Sequence, residues 1–506
     1  MNKTITYKPL SHSIVRFPAL NISILERALK DHNFFHEVIQ TNDFKEALFF
    51  ASPDMYSEYT KYILDEISPK DAERMLNTIV KYLSRITTRA TPFASFATCG
   101  VATINNQSML NSSNPKTLHF RYDMEFLYCL ANNILSRFPE IFTIMTYSVN
   151  PTLYKIGNKY RYIEMVNGSN AQWCDIKATS ILTLIIGFLH TDQSYENIYN
   201  FVCSRYDISS DKLLRYIREL HDAQIILSDL TPNVIGHDYL ERLCHLATKS
   251  NDLPIQEYFF KLLTNINILN ASKDFQSIKD VYESTFSLNK KFNVNVNPKH
   301  VFQIDSYILD RSLSIPESIT PQLIDCFNML NRIAFRHNRP RLVNFIAKFS
   351  AKYEMAYIPL LEAIDPDIGI GYDNQSVAFN QPLINELKTQ KRNHSSQISV
   401  NLTPFLTELL RNYPSIADIN CHLISLSNSD FEKFKEQPIH NLPLSISAMF
   451  KIVGYNHDGY ILDGLHFSGS SAANLLARFS DGHPEIKNLI VQITKNEQKI
   501  ANNCLL

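Results

Sequence analysis

The chain has 506 residues, 45% hydrophobic and 20% charged, with a formal net charge of -1. That length exceeds a single hydrophobic core and predicts about two to four lobes, while the near-neutral balance excludes a global field that draws the protein to nucleic acid or membrane, so such contacts need a local patch. Twelve glycines exclude a collagen-like or linker-rich chain, and eight scattered cysteines without a C-x-x-C pair give neither a disulfide framework nor a zinc signature.

The amino terminus carries no apolar core of signal-peptide length. The longest apolar run, near Leu182 to Leu189, is too short to span a bilayer. With the cysteine pattern, this places the protein in the cytoplasm. Ile14 to Leu20 reads as a strand and includes Arg16. His32 and His36 are four apart, a spacing that can hold a metal on a helix, but no acidic residue or third histidine completes a set. They read as surface histidines.

A strong helix signal starts at Ser68-Pro69-Lys70-Asp71: a capping hydroxyl, proline at the first helical position, and a carboxylate in the first turn. Leu76, Ile79, Val80 and Leu83 recur at helical spacing and predict a buried stripe. The β-branched Ile86, Thr87 and Thr88 weaken the helix, and Pro92 turns Thr91 away from helical geometry. Arg85 and Arg89 therefore fall where a packed helix unwinds. A guanidinium fork binds phosphate or carboxylate bidentately and stays charged; on spacing alone, such a pair is more often a solvated helix face than a site.

Leu118 to Asp123 reads as a strand ending on a carboxylate, followed by a helix with Phe126, Leu127, Leu130 and Ile134 on its apolar face. Asp123 suits a helix N-cap. Next, Thr152–Ile156 and Tyr160–Met165 alternate around Gly157-Asn158, a hairpin signal. Three short helices follow, with apolar residues at Ile181 to Phe188, Ile198 to Val202, and Leu213 to Leu220. Ala223 to Leu227 then reads as a returning strand. This order is a winged-helix pattern. Its third helix mixes Lys212, Arg215 and Arg218 with Asp211, Glu219 and Asp222, a poor face for DNA phosphate.

Pro232 and the polar stretch around Ser250 and Asp252 mark a boundary, and a mostly helical region follows. Val301 to Tyr307 reads as a strand carrying Asp305. Arg332, Arg336, His337, Arg339 and Arg341 form the densest basic cluster, either a solvated face or a nucleic-acid-binding patch. Asp365-Pro366 and Gly369-Ile370-Gly371-Tyr372 come next. The latter lacks the third glycine and the strand-turn-helix setting of a dinucleotide loop. Gly469 to Phe479 has small residues opening a helix, with Arg478 in its interior.

The run Arg85, Arg89, Thr91-Pro92-Phe93 and Phe96 resembles the signature of the lantibiotic dehydratase family, in its amino-terminal, glutamyl-transferring region. The family's proline after the second arginine is Ala90 here, and its glycine after Phe93 is Ala94. Arg16-Phe17-Pro18, Asp123, the Asp305 strand, the Asp365-Pro366 and Gly-x-Gly-Tyr run, and Gly469 to Phe479 match further family features in order. The matches span Arg16 to Phe479.

The resemblance implies a multi-lobed α+β fold with an embedded winged-helix peptide-recognition domain. Residues 1–150 would form the amino-terminal lobe of the glutamyl-transfer region and 151–232 the leader-recognition module. Residues 233–506 would form the second lobe, incomplete at its carboxyl end because family members continue through further strands. The implied activity is transfer of glutamate from glutamyl-tRNA to Ser and Thr side chains of a ribosomally made precursor peptide, before elimination by a separate protein. Two other readings stay open: a non-catalytic leader-binding scaffold, and a tRNA-dependent ligase that adds an amino acid to a peptide terminus. The implied catalytic residues are Arg85, Arg89, Thr91, Asp123, Asp305 and Arg478, with Arg16, Arg332, Arg336 and Arg339 binding substrate. The implied partners are the precursor through its leader, glutamyl-tRNA as co-substrate and an elimination-domain protein, with a homodimer left open. No metal or small cofactor is implied.

Overall fold

The structure is a computed structural model that describes residues 7–106, 116–166, 170–232, 238–250, 252–292, 294, 297, 300–310, 312–333, 340–372, 404–412, 426–434, 442–456 and 459–501. The chain divides into two units. The first comprises residues 1–129, 260–334 and 408–506, the second residues 130–259 and 335–407. Helix and strand are mixed in both.

The first unit opens with β1 (His12–Pro18) and five helices, the last running Pro69–Thr88. The start of that helix is as its sequence dictates: the Ser68 side chain accepts from the Asp71 N–H, and Pro69 follows the cap. Ile79, Leu83 and Ile86 are at most 1% exposed and pack among Phe35, Phe44, Leu48 and Phe96. Full burial of such a side chain contributes about 1.5–3 kcal/mol, so this face fixes the helix against the sheet. The helix ends at Thr88, and Arg89 is its extended C-cap (φ -112°, ψ 118°).

β2 (Ala94–Asn105) and β3 (Lys116–Tyr122) follow. The chain then builds the second unit: β4 (Thr146–Val149), β5 (Tyr154–Ile156), β6 (Lys159–Val166), β7 (Asn170–Lys177), β8 (Gln193–Ser194) and β9 (Ile226–Ser228). β5, β6 and β7 form one antiparallel sheet with β6 central. The expected hairpin is present, with Gly157 at a φ of 56° in its turn, and β7 extends it to three strands. Helices Ser180–Phe188, Tyr195–Cys203 and Ser210–Asp222 come next. The returning strand β9 joins β4 and β8 in a separate sheet.

Back in the first unit, β10 (Phe302–Ile308) runs parallel to β2 and antiparallel to β3, giving the order β1-β2-β10-β3. β11 (Ser314–Pro316) pairs with the far end of β2. β12 (Ser447–Asn456) and β13 (Gly459–Ser468) form a hairpin. The helix expected around Arg478 is instead two short 3-10 turns, Ala472–Leu475 and Ala477–Phe479. Ser471 caps the first through the Ala473 N–H, and Leu476 closes it, so no continuous α-helical ladder forms before the helix Pro484–Ile500. Among the described residues, no helix is long and apolar enough to cross a membrane.

Candidate active site around Asp305

β10 is buried along almost its whole length, and it carries a carboxylate. Asp305 is 2% exposed, and a charge that deep needs partners. Arg478 Nη2 donates to its Oδ1 at 2.8 Å, and Arg121 Nη2 donates to its Oδ2 at 3.4 Å. Arg121 also donates from Nε to Gln303 Oε1 at 3.1 Å and to the backbone carbonyl of Arg478. The ladder explains the meeting. Arg121 lies opposite Gln303 and His119 lies opposite Asp305, so all four side chains share one face of the pleat. A register shift follows Asp305 in its pairing with β2.

Arg16 comes to the same face from β1, opposite Cys99. Its guanidinium lies 5.4 Å from the Phe479 ring, as does that of Arg478, and its Nη2 reaches the Leu475 carbonyl at 3.5 Å. Burial pushes the Cys99 thiol up to about 12, with Arg16 and Arg478 opposing and Asp305 adding to it. Cys99 is fully buried and forms a wall behind the cluster. Arg121 and Arg478 hold Asp305, Arg16 stands against Phe479 on the same face, and His119 meets a second carboxylate, Asp481, at 3.0 Å.

The arginine stretch delivers its residues beside this cluster. Ala94, at the start of β2, is the ladder partner of Asp305. Just before it, Arg89, Thr91 and Phe93 are exposed. Arg85 is half-buried; its guanidinium lies 4.6 Å from the Phe93 ring and 5.8 Å from that of Phe96. Its Nε is buried and, among the described residues, has no hydrogen-bond partner. Asp123 lies two residues beyond Arg121 and accepts the Glu125 N–H at 2.8 Å, at the start of the helix Met124–Arg137. Of the basic cluster, Arg332 ends the helix Ile319–Ile333 and Arg341 is exposed on the helix Pro340–Tyr353, while Arg336, His337 and Arg339 lie outside the described residues.

Residues 40–503 match the family model described as lantibiotic dehydratase, N terminus. The chain belongs to the lantibiotic dehydratase family. It is 20% identical over 518 aligned residues to the subtilin biosynthesis protein SpaB of Bacillus subtilis, covering 98% of this chain and 48% of SpaB. Its fold is similar to that of MibB, a tRNA-dependent lantibiotic dehydratase from Microbispora sp. 107891, with a TM-score of 0.74 at 15% identity, covering 95% of this chain and 46% of MibB. It is also similar to the glutamylation domain of TbtB from thiomuracin biosynthesis, solved bound to 5'-phosphodesmethylglutamycin, with a TM-score of 0.58 at 12% identity over 93% of this chain and 57% of that one. The chain spans about half the length of the curated relatives it matches.

Arg121 is a residue of this cluster that the sequence does not single out. It sits between the buried Phe120 and Tyr122 on a strand read as structural. A charged residue in phase with His119 on that strand was the available signal. Ala94 also gains a physical meaning. Its φ is 48°, the left-handed region that costs a residue with a Cβ roughly 1–2 kcal/mol. Ala94→Gly should therefore stabilise the protein by about 0.5–1 kcal/mol, after the extra entropy of an unfolded glycine is subtracted. A calorimetric melting temperature that falls instead would show that the turn is not strained.

Proposed function

We propose that this chain transfers glutamate from glutamyl-tRNA to Ser and Thr hydroxyls of a ribosomally made precursor peptide. The observation that carries this reading is the buried Asp305, held by Arg121 and Arg478 beside the exposed end of the Arg85–Phe93 stretch. The TbtB glutamylation domain and the tRNA-dependent MibB, as similar folds, support it.

The aminoacyl ester is already activated, so the chemistry needs orientation and charge complementarity more than a strong nucleophile. The peptide hydroxyl attacks the glutamyl carbonyl, the ester bond to the tRNA ribose breaks, and the hydroxyl proton goes to the leaving ribose oxygen. Arg85, Arg89 and Arg478 hold phosphate or the glutamate carboxylate. Both Asp305 oxygens are engaged by arginines, which suits it to orienting them. Thr91 positions the acceptor end, Asp123 holds the ammonium or the arginines, and Arg16 and Arg332 bind substrate, as do Arg336 and Arg339, which lie outside the described residues.

Residues 151–232 lie within the second unit and serve as the winged-helix leader-recognition module. β7 is an edge strand, and an edge presents a row of unpaired backbone groups that an extended peptide can satisfy as an added strand. The chain's single tryptophan, Trp173, sits on β7, edge-on to Tyr154 at 6.1 Å. Precursor leader added to the full chain should shift Trp173 emission saturably, and a scrambled leader should not. Equal responses to both would remove β7 as the docking edge. Mass spectrometry of precursor incubated with protein and glutamyl-tRNA tests the reaction itself. Glutamate on Ser or Thr supports it; no added mass points to a scaffold, and a residue added at a terminus points to a ligase.

A further inference from the structure

The Asp365-Pro366 and Gly369-Ile370-Gly371 run has no part in the site around Asp305. The structure places it on the three-stranded sheet of the second unit. Asp365 is fully buried. It accepts the Tyr154 hydroxyl from β5 and Arg161 Nη1 from β6, at 3.1 and 3.0 Å to its two oxygens. Its own loop adds the N–H groups of Asp367 at 2.7 Å and Ile368 at 3.2 Å.

Arg161 then reaches across to β7. Its Nε and Nη2 donate to the two oxygens of Asp175 at 2.6 and 2.9 Å, a bidentate pair, and its Nη1 also meets Asp367 at 2.8 Å. Tyr154, Arg161 and Asp175 are ladder partners in one row across the sheet, so the Arg161 guanidinium ties β6 and β7 to the loop while the Tyr154 hydroxyl ties β5 to it. The Arg161 side chain is only 11% exposed. Arg161 holds the Asp175 carboxyl below its ordinary value. Burial works against the charge of Asp365, yet Tyr154, the Asp367 N–H and Arg161 together keep its carboxyl low as well.

The two glycines make the loop tight enough for this. A side chain at Gly369 would collide with the backbone carbonyls of Glu362 and Ala363, and Gly371 has a φ of 71°. Lys352, on the helix Pro340–Tyr353, closes the loop by donating to the carbonyls of Ile368 and Gly369 at 2.9 and 2.8 Å. These glycines serve loop closure, in keeping with the absence of a dinucleotide fingerprint.

We infer that the 364–371 loop is a brace for the peptide-docking edge, with Arg161 as the positioning residue that transmits its hold through Asp175 to β7. The docking role of β7 rests on the function proposed above; the brace itself does not. Loop and edge strand sit on opposite ends of one guanidinium, so loosening either loosens the other.

Hydrogen exchange on the full chain tests the brace without any ligand. In Asp365→Asn, a change outside the sheet, the amides of 172–176 should exchange at least tenfold faster. In Arg161→Gln, both those amides and the 364–371 loop should do so. The β2 and β10 amides of the first unit should not change in either variant. Unchanged exchange on β7 in Asp365→Asn overturns the inference, and so does loss of the folded state in both variants, which would make the network a folding requirement. In the glutamyl-transfer assay, the KM for the precursor should rise about tenfold in Arg161→Gln, with kcat within about twofold. If wild type shows no leader-dependent KM, the docking reading fails while the exchange result stands. If exchange changes but KM does not, the brace fails as a positioning device.

Discussion

Asp305→Asn should lower glutamyl transfer about a hundredfold while leaving leader affinity unchanged. The carboxylate accepts Arg478 on one oxygen and Arg121 on the other. Its amide counterpart has one acceptor oxygen and turns an NH2 toward the second arginine. Removing one partner of a buried ion pair costs about 3–5 kcal/mol. The lower end, about 3 kcal/mol, is expected here because the Arg121 and Arg478 side chains are 26% and 42% exposed and can turn to water. The kinetic effect comes from Arg478. Without Asp305 its guanidinium is no longer fixed, and a misplacement of ~1 Å at a reacting centre can cost about 10²-fold. The measurement is transfer from labelled glutamyl-tRNA below the melting temperature of the variant, with Trp173 emission following the leader. Near-wild-type transfer by folded Asp305→Asn would falsify the role of the ion-paired cluster.

That cluster shows what one sequence can and cannot disclose. The helix Pro69–Thr88 was legible because its signals are local: a cap, a proline and an apolar stripe, each within a few residues of the next. The same holds for the turn at Gly157 and for the three helices from Ser180 to Asp222. β7 escaped because Asn170–Lys177 carries no clean apolar alternation; Cys174 and Ile176 lie opposite the buried Tyr162 and Tyr160, while Trp173 and the paired Asp175 take the other face. The two 3-10 turns around Arg478 escaped because a run of small residues fits a helix start as well as a capped turn. Asp305 and Arg478 could be nominated by resemblance, but no local pattern joins residues 173 apart, and none joins Arg121 to Asp305, 184 apart. Asp365 and Arg161, 204 apart, were likewise beyond reach, although the Asp-Pro and Gly-x-Gly run was visible as a motif.

Arg89→Lys separates a substrate-binding arginine from a surface one. Arg89 is the first extended residue after the helix, and its N–H closes the last turn onto the Arg85 carbonyl at 3.2 Å. Its backbone therefore fixes where the side chain starts, while the side chain itself is exposed and, among the described residues, forms no ion pair or hydrogen bond. Among the described residues nothing holds that guanidinium, so replacing it should change stability by less than ~0.5 kcal/mol. Lysine keeps the charge and removes the bidentate fork. If Arg89 grips a phosphate or the glutamate carboxylate, loss of one charge-assisted contact costs about 1.5–3 kcal/mol, roughly ten- to a hundredfold in transfer. Arg89→Ala, which loses the charge as well, should fall further, and leader binding should stay constant in both. Unchanged transfer in the two variants would place Arg89 on an idle surface and favour the scaffold reading. A fall in transfer that tracks a fall in melting temperature would contradict the unheld side chain seen here, since only a structural contact could couple the two.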